Sequence, residues 1–401
     1  MLYTQGKTDC SPKDAGYNEK RLDVLNAHFQ RLIDDGEIQC ATYCLSRKNK
    51  IFAHGAVGKK SFRKEDNTPV QPDSIRWIAS ITKLFTAVAI MKLVEDGIMR
   101  LDVPVGETLP QFNTPPYNGV TPFQLLTHTS GLHTDGGCFD NKYQTNYWKM
   151  IEDAYKLCDA DKKNEFDWIT AALSTIGNGF RVKPDTEWAY CSFGFVILGA
   201  MIEKLTGVSS HKYIEDNICK PLGMKDTSFD MTKEKIKRFI ITDEEFEKFS
   251  RDFLNGALKE EDQWIGEKLK IPSTGGGLDS TMFDVNRFGT MMLNKGTLDG
   301  VRIIGRKAAE KMTTFAIHNI PNYSWGAKET DRGYGIGFDM RNGPAFTFSP
   351  GTFCHEGAGA CSLYIDPKEE FVAAWMVPFA KEGWWSRALF NVINIMWSGI
   401  I

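Results

Sequence analysis

Ser80-Ile81-Thr82-Lys83 is where this sequence reaches most directly toward chemistry. A serine hydroxyl is a weak nucleophile until a neighbouring base takes its proton. Beyond it, Ile81, Leu84, Phe85, Val88, Met91 and Val94 recur at helical spacing, and Gly97 ends the run. Ser80 therefore falls at the N-terminus of a predicted helix, with Lys83 one turn further on the same face. That end of a helix offers unpaired backbone N–H groups and the positive end of the dipole, both of which favour an anion. The same four residues also suit an N-cap serine followed by an exposed lysine. The apolar run Leu84 to Ile90 argues for a buried helix. A lysine on such a helix either snorkels to the surface or has a partner.

Two other segments carry groups of the right kind. In Tyr190-Cys191-Ser192 a phenol beside an ammonium has its phenolate form favoured and suits a general base; a tyrosine packed in a loop before a helix is the plainer reading. In Cys354-His355-Glu356-Gly357-Ala358-Gly359-Ala360 the small residues let a substrate approach the backbone closely. The N–H of Ala358, set beside the N–H of Ser80, would make a two-donor oxyanion hole. The plainer reading is a glycine-rich turn with a surface histidine, opening a strand.

The elements that must position these groups are legible in outline. Lys20 to Leu32 has an amphipathic helical pattern, and Ala41 to Ser46 and Ile51 to Val57 read as strands joined by the polar turn Arg47 to Lys50. From about Ser80 to Leu205 the periodic segments are mostly helical. Lys233 to Lys270 carries 19 charged residues in 38 and reads as solvated surface helices, or as a lid. Strand signals return at Gly335 to Met340, Phe346 to Phe348, Ser362 to Ile365 and Phe371 to Val377, with Asp366 to Glu369 as a hairpin turn. Trp384 to Trp397 is a helix candidate. Residues 1–75 and 310–401 are thus expected to form one discontinuous α/β domain, with 76–309 a mainly helical insertion and the site in the cleft between them.

Composition narrows the function classes. The chain has 401 residues and a formal net charge of −3, which leaves no electrostatic footprint for nucleic acid. Aromatic residues at 12% argue against disorder. A chain of this length buries a core without disulfides or a metal. Cys40 and Cys44 lack a second pair at zinc-binding spacing, which argues against a metal site, and the nine cysteines, at 10, 40, 44, 138, 158, 191, 219, 354 and 361, are expected to be reduced thiols in a reducing compartment. Trp188 to Ile202 is apolar for 15 residues, short of the ~20 that span a bilayer. Met1 to Lys13 lacks the pattern of a signal peptide. These features lead to the expectation of a cytoplasmic protein that needs no cofactor, metal, nucleic acid or membrane.

The order Ser80-x-x-Lys83, Tyr190-x-Ser192, His355-x-Gly357 resembles the serine β-lactamase and penicillin-binding superfamily, and is most similar to its class C β-lactamase and family VIII carboxylesterase branch. Leu125 to Leu132 (LLTHTSGL), Gly275 to Leu278 and Tyr334 to Phe338 agree with it, and the resemblance spans about residues 20 to 398. It implies an α+β fold: a mainly antiparallel five-stranded sheet flanked by helices, plus an all-helical domain. It implies Ser80 as the acylated nucleophile, Lys83 as its proton partner and Tyr190 as general base. The oxyanion hole would be formed by the Ser80 and Ala358 backbones, and Ser192, His355, Glu356 and Gly357 would line the substrate.

The sequence departs from the family pattern twice. Ser192 stands where the family has Asn in Tyr-x-Asn, and His355-Glu356-Gly357 stands where it has Lys-Thr-Gly, which helps hold the carboxylate of a β-lactam. A Glu356 facing the cleft would repel such a carboxylate by ~1 kcal/mol or more; one pointing away would do little. The expected function is a serine hydrolase working through an acyl-enzyme, a carboxylesterase on small esters. Acyl transfer, β-lactamase- or D,D-peptidase-type amide hydrolysis, and a catalytically silent ligand-binding homologue remain alternatives.

Overall fold

Lys48 and Asn49 both adopt positive φ, 51° and 63°, the backbone of a two-residue hairpin whose twist matches its strands. The turn joins two long strands of the central sheet. The computed structural model describes residues 1–135, 146–175, 182–259, 264–322, 333–340, 346–378 and 385–401. Among them the strands are β1 (Tyr3–Gln5), β2 (Cys40–Arg47), β3 (Lys50–Gly58), β4 (Arg76–Trp77), β5 (Asp279–Ser280), β6 (Thr297–Leu298), β7 (Val301–Arg302), β8 (Asp339–Met340), β9 (Phe353–Gly357), β10 (Cys361–Asp366) and β11 (Phe371–Met376).

The main sheet is antiparallel, in the order β1-β3-β2-β11-β10-β9-β8. It has seven strands among the described residues where five are expected. The additions are the edges β1 and β8, of three and two residues; β1 is too short to leave a period in the sequence, and β8 is the paired end of the segment Gly335 to Met340. The ends of the chain are joined in this sheet, since β2 pairs with β11 from Arg47↔Phe371 to Thr42↔Met376.

Side chains alternate between two cores. Phe371, Ala373 and Trp375 enter the core shared with the helices Lys20–Asp34 and Asn391–Trp397, while Val372, Ala374 and Met376 enter the larger one. The larger core holds the helices Met282–Leu293, Thr82–Glu95 and Ser192–Thr206. Phe85 stacks on Phe288 at 4.1 Å between ring centroids and so locks the Ser80 helix to the helix covering the sheet. That helix, Met282–Leu293, lies on the sheet although its residues fall inside the span 76–309.

Several expected elements differ. Phe346 to Phe348 is no strand: its rings lie 5.1 Å apart and pack into the core of the terminal helices, so the aromatic signal is one of packing. In Gly335 to Met340 only Asp339–Met340 pairs, because Gly337 turns the chain at φ 81°. The segment around His355 does not open a strand but is one, β9, since Phe353 to Gly357 pairs with Cys361 to Ile365. The final helix spans Asn391–Trp397 after a wider turn at Trp385–Phe390, and Trp384 lies outside the described residues. Within 233–270 the helices are Lys233–Ile236, Glu244–Asn255 and Ile265–Lys268, with 260–263 outside the described residues. Among the described residues no single helix is long and apolar enough to cross a membrane. The apolar run from Trp188 instead continues into the buried helix Ser192–Thr206.

Candidate active site

Ser80 sits in a single 3₁₀ turn, Ala79–Ile81, that leads into the helix Thr82–Glu95. The residue before it, Ala79, has φ +47°, a left-handed conformation that costs a non-glycine residue about 1–2 kcal/mol. Its neighbours enforce it. Ile78 N–H donates to Leu278 O at 2.9 Å, extending the β4–β5 pairing of Arg76 with Ser280. On the other side a Cβ at Gly357 would overlap Ile78 O and lie 3.3 Å from Ala79 Cβ. Gly357 is glycine because the end of β9 presses on the turn that presents Ser80. The next residue, Ala358, is exposed.

Lys83 is fully buried. Its Nζ donates to Ser80 Oγ at 3.0 Å, to Ser192 Oγ at 2.8 Å and to Gly275 O at 2.7 Å. It also lies over the Tyr190 ring, 4.9 Å from the centroid. The loop supplying Gly275 is tied down on both sides: Thr86 Oγ1 donates to Thr274 O at 2.7 Å, Thr274 Oγ1 donates to Phe195 O at 2.8 Å, and Leu278 N–H donates to Thr82 Oγ1 at 3.1 Å. His211 braces it further, since its Nε2 accepts from Ser273 N–H at 2.9 Å. Burial of that ring, stacked on Phe229 at 4.0 Å, pulls its pKa down to about 4.

Tyr190 and Ser192 come from the turn that opens the helix Ser192–Thr206. His128 fixes this turn from behind. Its carbonyl accepts from Ala189 N–H at 2.8 Å, its Nδ1 accepts from Cys191 N–H at 3.1 Å, and its ring lies 4.4 Å from that of Tyr190. Asp135 holds the same turn at its helical end: Oδ1 accepts from Ser192 N–H at 2.7 Å, and Oδ2 accepts from the Ser192 hydroxyl.

On the facing strand His355 is buried, 6.4 Å from the Tyr190 ring between centroids, with its Nδ1–H donating to Glu356 O at 2.7 Å. Ser80, Lys83, Tyr190, Ser192, His355 and Gly357 thus converge. Glu356 does not. Strand alternation sends its carboxylate to the opposite face of the sheet, where it accepts from Tyr364 Oη beside the terminal helices. The expectation that Glu356 lines the substrate is corrected accordingly.

Asp135, His128 and the Gly275 carbonyl were not singled out as site residues from the sequence. His128 and Gly275 lie inside segments noted for their resemblance; Asp135 follows Leu132 by three residues, and a lone carboxylate in a loop leaves no spacing signature. The described cysteines are free thiols, and Cys138 lies outside the described residues. Among the described residues no group of three or more His, Cys, Asp or Glu side chains is placed to hold a metal ion.

Comparison with known proteins bears on the fold that carries this arrangement. The family model described as Beta-lactamase matches residues 25–382. Protein flp of Staphylococcus aureus (strain MW2) is 30% identical over 224 residues, 55% of this chain and 40% of that protein. The match therefore spans less than half the length of that relative. Among solved structures, EstCE1, described as a hydrolase with promiscuous acyltransferase activity, superposes with a TM-score of 0.70 at 17% identity, covering 94% of this chain and 99% of its own. A family VIII carboxylesterase gives 0.67 at 18% identity, covering 94% and 98%. At these identities the structural likeness shows the fold.

Proposed function

The chain belongs to the beta-lactamase family, and from that premise we propose that it is a serine hydrolase that works through an acyl-enzyme on Ser80, with small neutral carboxylic esters as substrates. The observation that carries the reading is the buried Lys83 amine, 3.0 Å from Ser80 Oγ. A buried lysine is held at a cost that a purely binding protein has no reason to bear.

In this reading Ser80 Oγ attacks the ester carbonyl carbon as its proton passes to the Lys83–Tyr190 pair. The Ser80 and Ala358 N–H groups receive the negative charge that develops on the carbonyl oxygen. The pair returns the proton to the leaving alkoxide as the C–O bond breaks. Water then attacks the acyl carbon, gives up a proton by the same route, and releases the acid with Ser80 restored. His355 stands where a β-lactam-recognising lysine would, which supports an uncharged acyl or alcohol group over a carboxylate. Transfer of the acyl group to an alcohol instead of water uses the same atoms and is the second reading, supported by the promiscuous acyltransferase activity of the structurally similar EstCE1.

A panel of p-nitrophenyl esters, a chromogenic cephalosporin and D-amino-acid amides, run with and without an added alcohol, tests this. Short-chain ester turnover well above cephalosporin turnover is expected. Cephalosporin turnover equal to that of short esters would overturn the substrate assignment, and a new ester of the added alcohol would favour the transferase.

A further inference from the structure

The partners of Lys83 are not equivalent. Gly275 O only accepts. Ser192 Oγ has a single proton, and that proton is given to Asp135 Oδ2, so toward Lys83 the hydroxyl also accepts. A neutral lysine amine has two N–H groups and one lone pair. With its two N–H groups on Gly275 O and Ser192 Oγ, the lone pair turns to the side where Ser80 Oγ lies at 3.0 Å. When the amine is protonated, its third N–H takes that direction. Asp135 sets this order. Without an acceptor beyond it, the Ser192 hydroxyl is able to donate to Lys83 and occupy the lone pair that Ser80 needs.

The carboxylate is itself well held. Asp135 Oδ1 accepts from Ser192 N–H at 2.7 Å, at the positive end of the 15-residue helix Ser192–Thr206, and Asp135 N–H donates to Tyr190 O at 3.2 Å. Among the described residues Tyr190 faces Lys83, and His128 and His355 lie one ring further out. His211, on the neighbouring helix Ser210–Ile214, is engaged with Ser273.

We propose that Asp135 is a positioning residue for acylation: through Ser192 it directs the Lys83 lone pair at Ser80, and its charge favours the ammonium form of Lys83 outside the reaction. The inference rests on the serine-nucleophile reading and extends it to a residue that does not touch the reacting atoms.

The test is the rate at which a fluorophosphonate labels Ser80 in the full-length chain, measured across pH. In Asp135→Asn the high-pH plateau should fall about tenfold as the lone pair loses its direction. The pH at which the rate rises should move down by roughly half to one unit, because an anion favouring the ammonium is gone. A merely structural role lowers the plateau without moving the rise. Ser192→Ala cuts the same bridge from its other end, should lower the plateau similarly, and carries the test if Asp135→Asn does not fold. In the Ser192→Ala background, Asp135→Asn should add less than about twofold. An unmoved rise, or an undiminished Asp135→Asn effect in that background, overturns this inference alone. Absence of Ser80 labelling in the unsubstituted protein at every pH overturns it together with the hydrolase reading.

Discussion

Glu356 and His355 are adjacent on β9 and serve opposite faces of the sheet: Glu356 accepts from the Tyr364 hydroxyl next to the terminal helices, while His355 faces Tyr190 across the cleft. In the proposed function, substrate choice on this strand therefore falls to His355. Glu356→Gln should leave the ratio of ester to cephalosporin kcat/KM within about twofold and cost about 1 kcal/mol of stability from the weakened hydrogen bond. His355→Lys should raise relative cephalosporin kcat/KM roughly tenfold by supplying a cation to the drug's carboxylate. Steady-state kinetics on both substrates decides between them, and a Glu356→Gln variant that changes preference would place that carboxylate in the cleft after all.

The close approach of β9 to the Ser80 turn gives a steric prediction. Gly357→Ala introduces a Cβ that overlaps Ile78 O, so strand and turn must separate. The loss should be about 2–4 kcal/mol in stability and about a hundredfold or more in acylation rate, because the two oxyanion donors part. Chemical denaturation together with fluorophosphonate labelling measures both. Unchanged stability and labelling would mean that the strand end is not packed against the nucleophile.

Lys83 and Tyr190 share one proton path in the proposed mechanism, so their removal should not be additive. Lys83→Ala and Tyr190→Phe should each lower turnover by several orders of magnitude, and the double variant should be little worse than the more damaged single. Multiplying losses would separate the two residues into independent roles.

His211 gives the pH prediction. Its ring is half-buried against Phe229 and its Nε2 accepts from Ser273 N–H; desolvation pulls its pKa down to about 4. The unfolded chain binds this proton near the ordinary value of ~6.5 and the folded chain does not, so this group makes stability rise with pH between about 4 and 6.5. NMR of ring-labelled histidine should find one imidazole that stays neutral down to about pH 5. All histidines titrating near 6.5 would contradict the buried acceptor geometry.

Much of the fold was legible because its signals are local. The helix starting at Lys20, the β2–β3 hairpin and the β10–β11 hairpin each have a period and a turn within a few residues. Ser80, Lys83, Tyr190, Ser192, His355 and Gly357 stand out as candidates from their types and order, and the fold brings them together. What stayed hidden depends on partners distant in sequence. The three-residue β1 gains its identity only from pairing with β3. The direction of Glu356 follows from β9 being a strand already at Phe353, whereas its glycines read as a turn. Asp135 acquires its role only when the fold brings it to Ser192, 57 residues away.

The central claim is that Ser80 becomes acylated, and intact-mass spectrometry after incubation with an activated ester or a fluorophosphonate tests it most directly. The unsubstituted protein should gain the mass of one acyl or phosphonyl group, mapped to the peptide containing Ser80. Ser80→Ala should gain none and keep its fold, since a side chain at a helix start contributes only ~1 kcal/mol. An adduct that persists on Ser80→Ala, or a folded unsubstituted protein that takes up no label, would contradict the account.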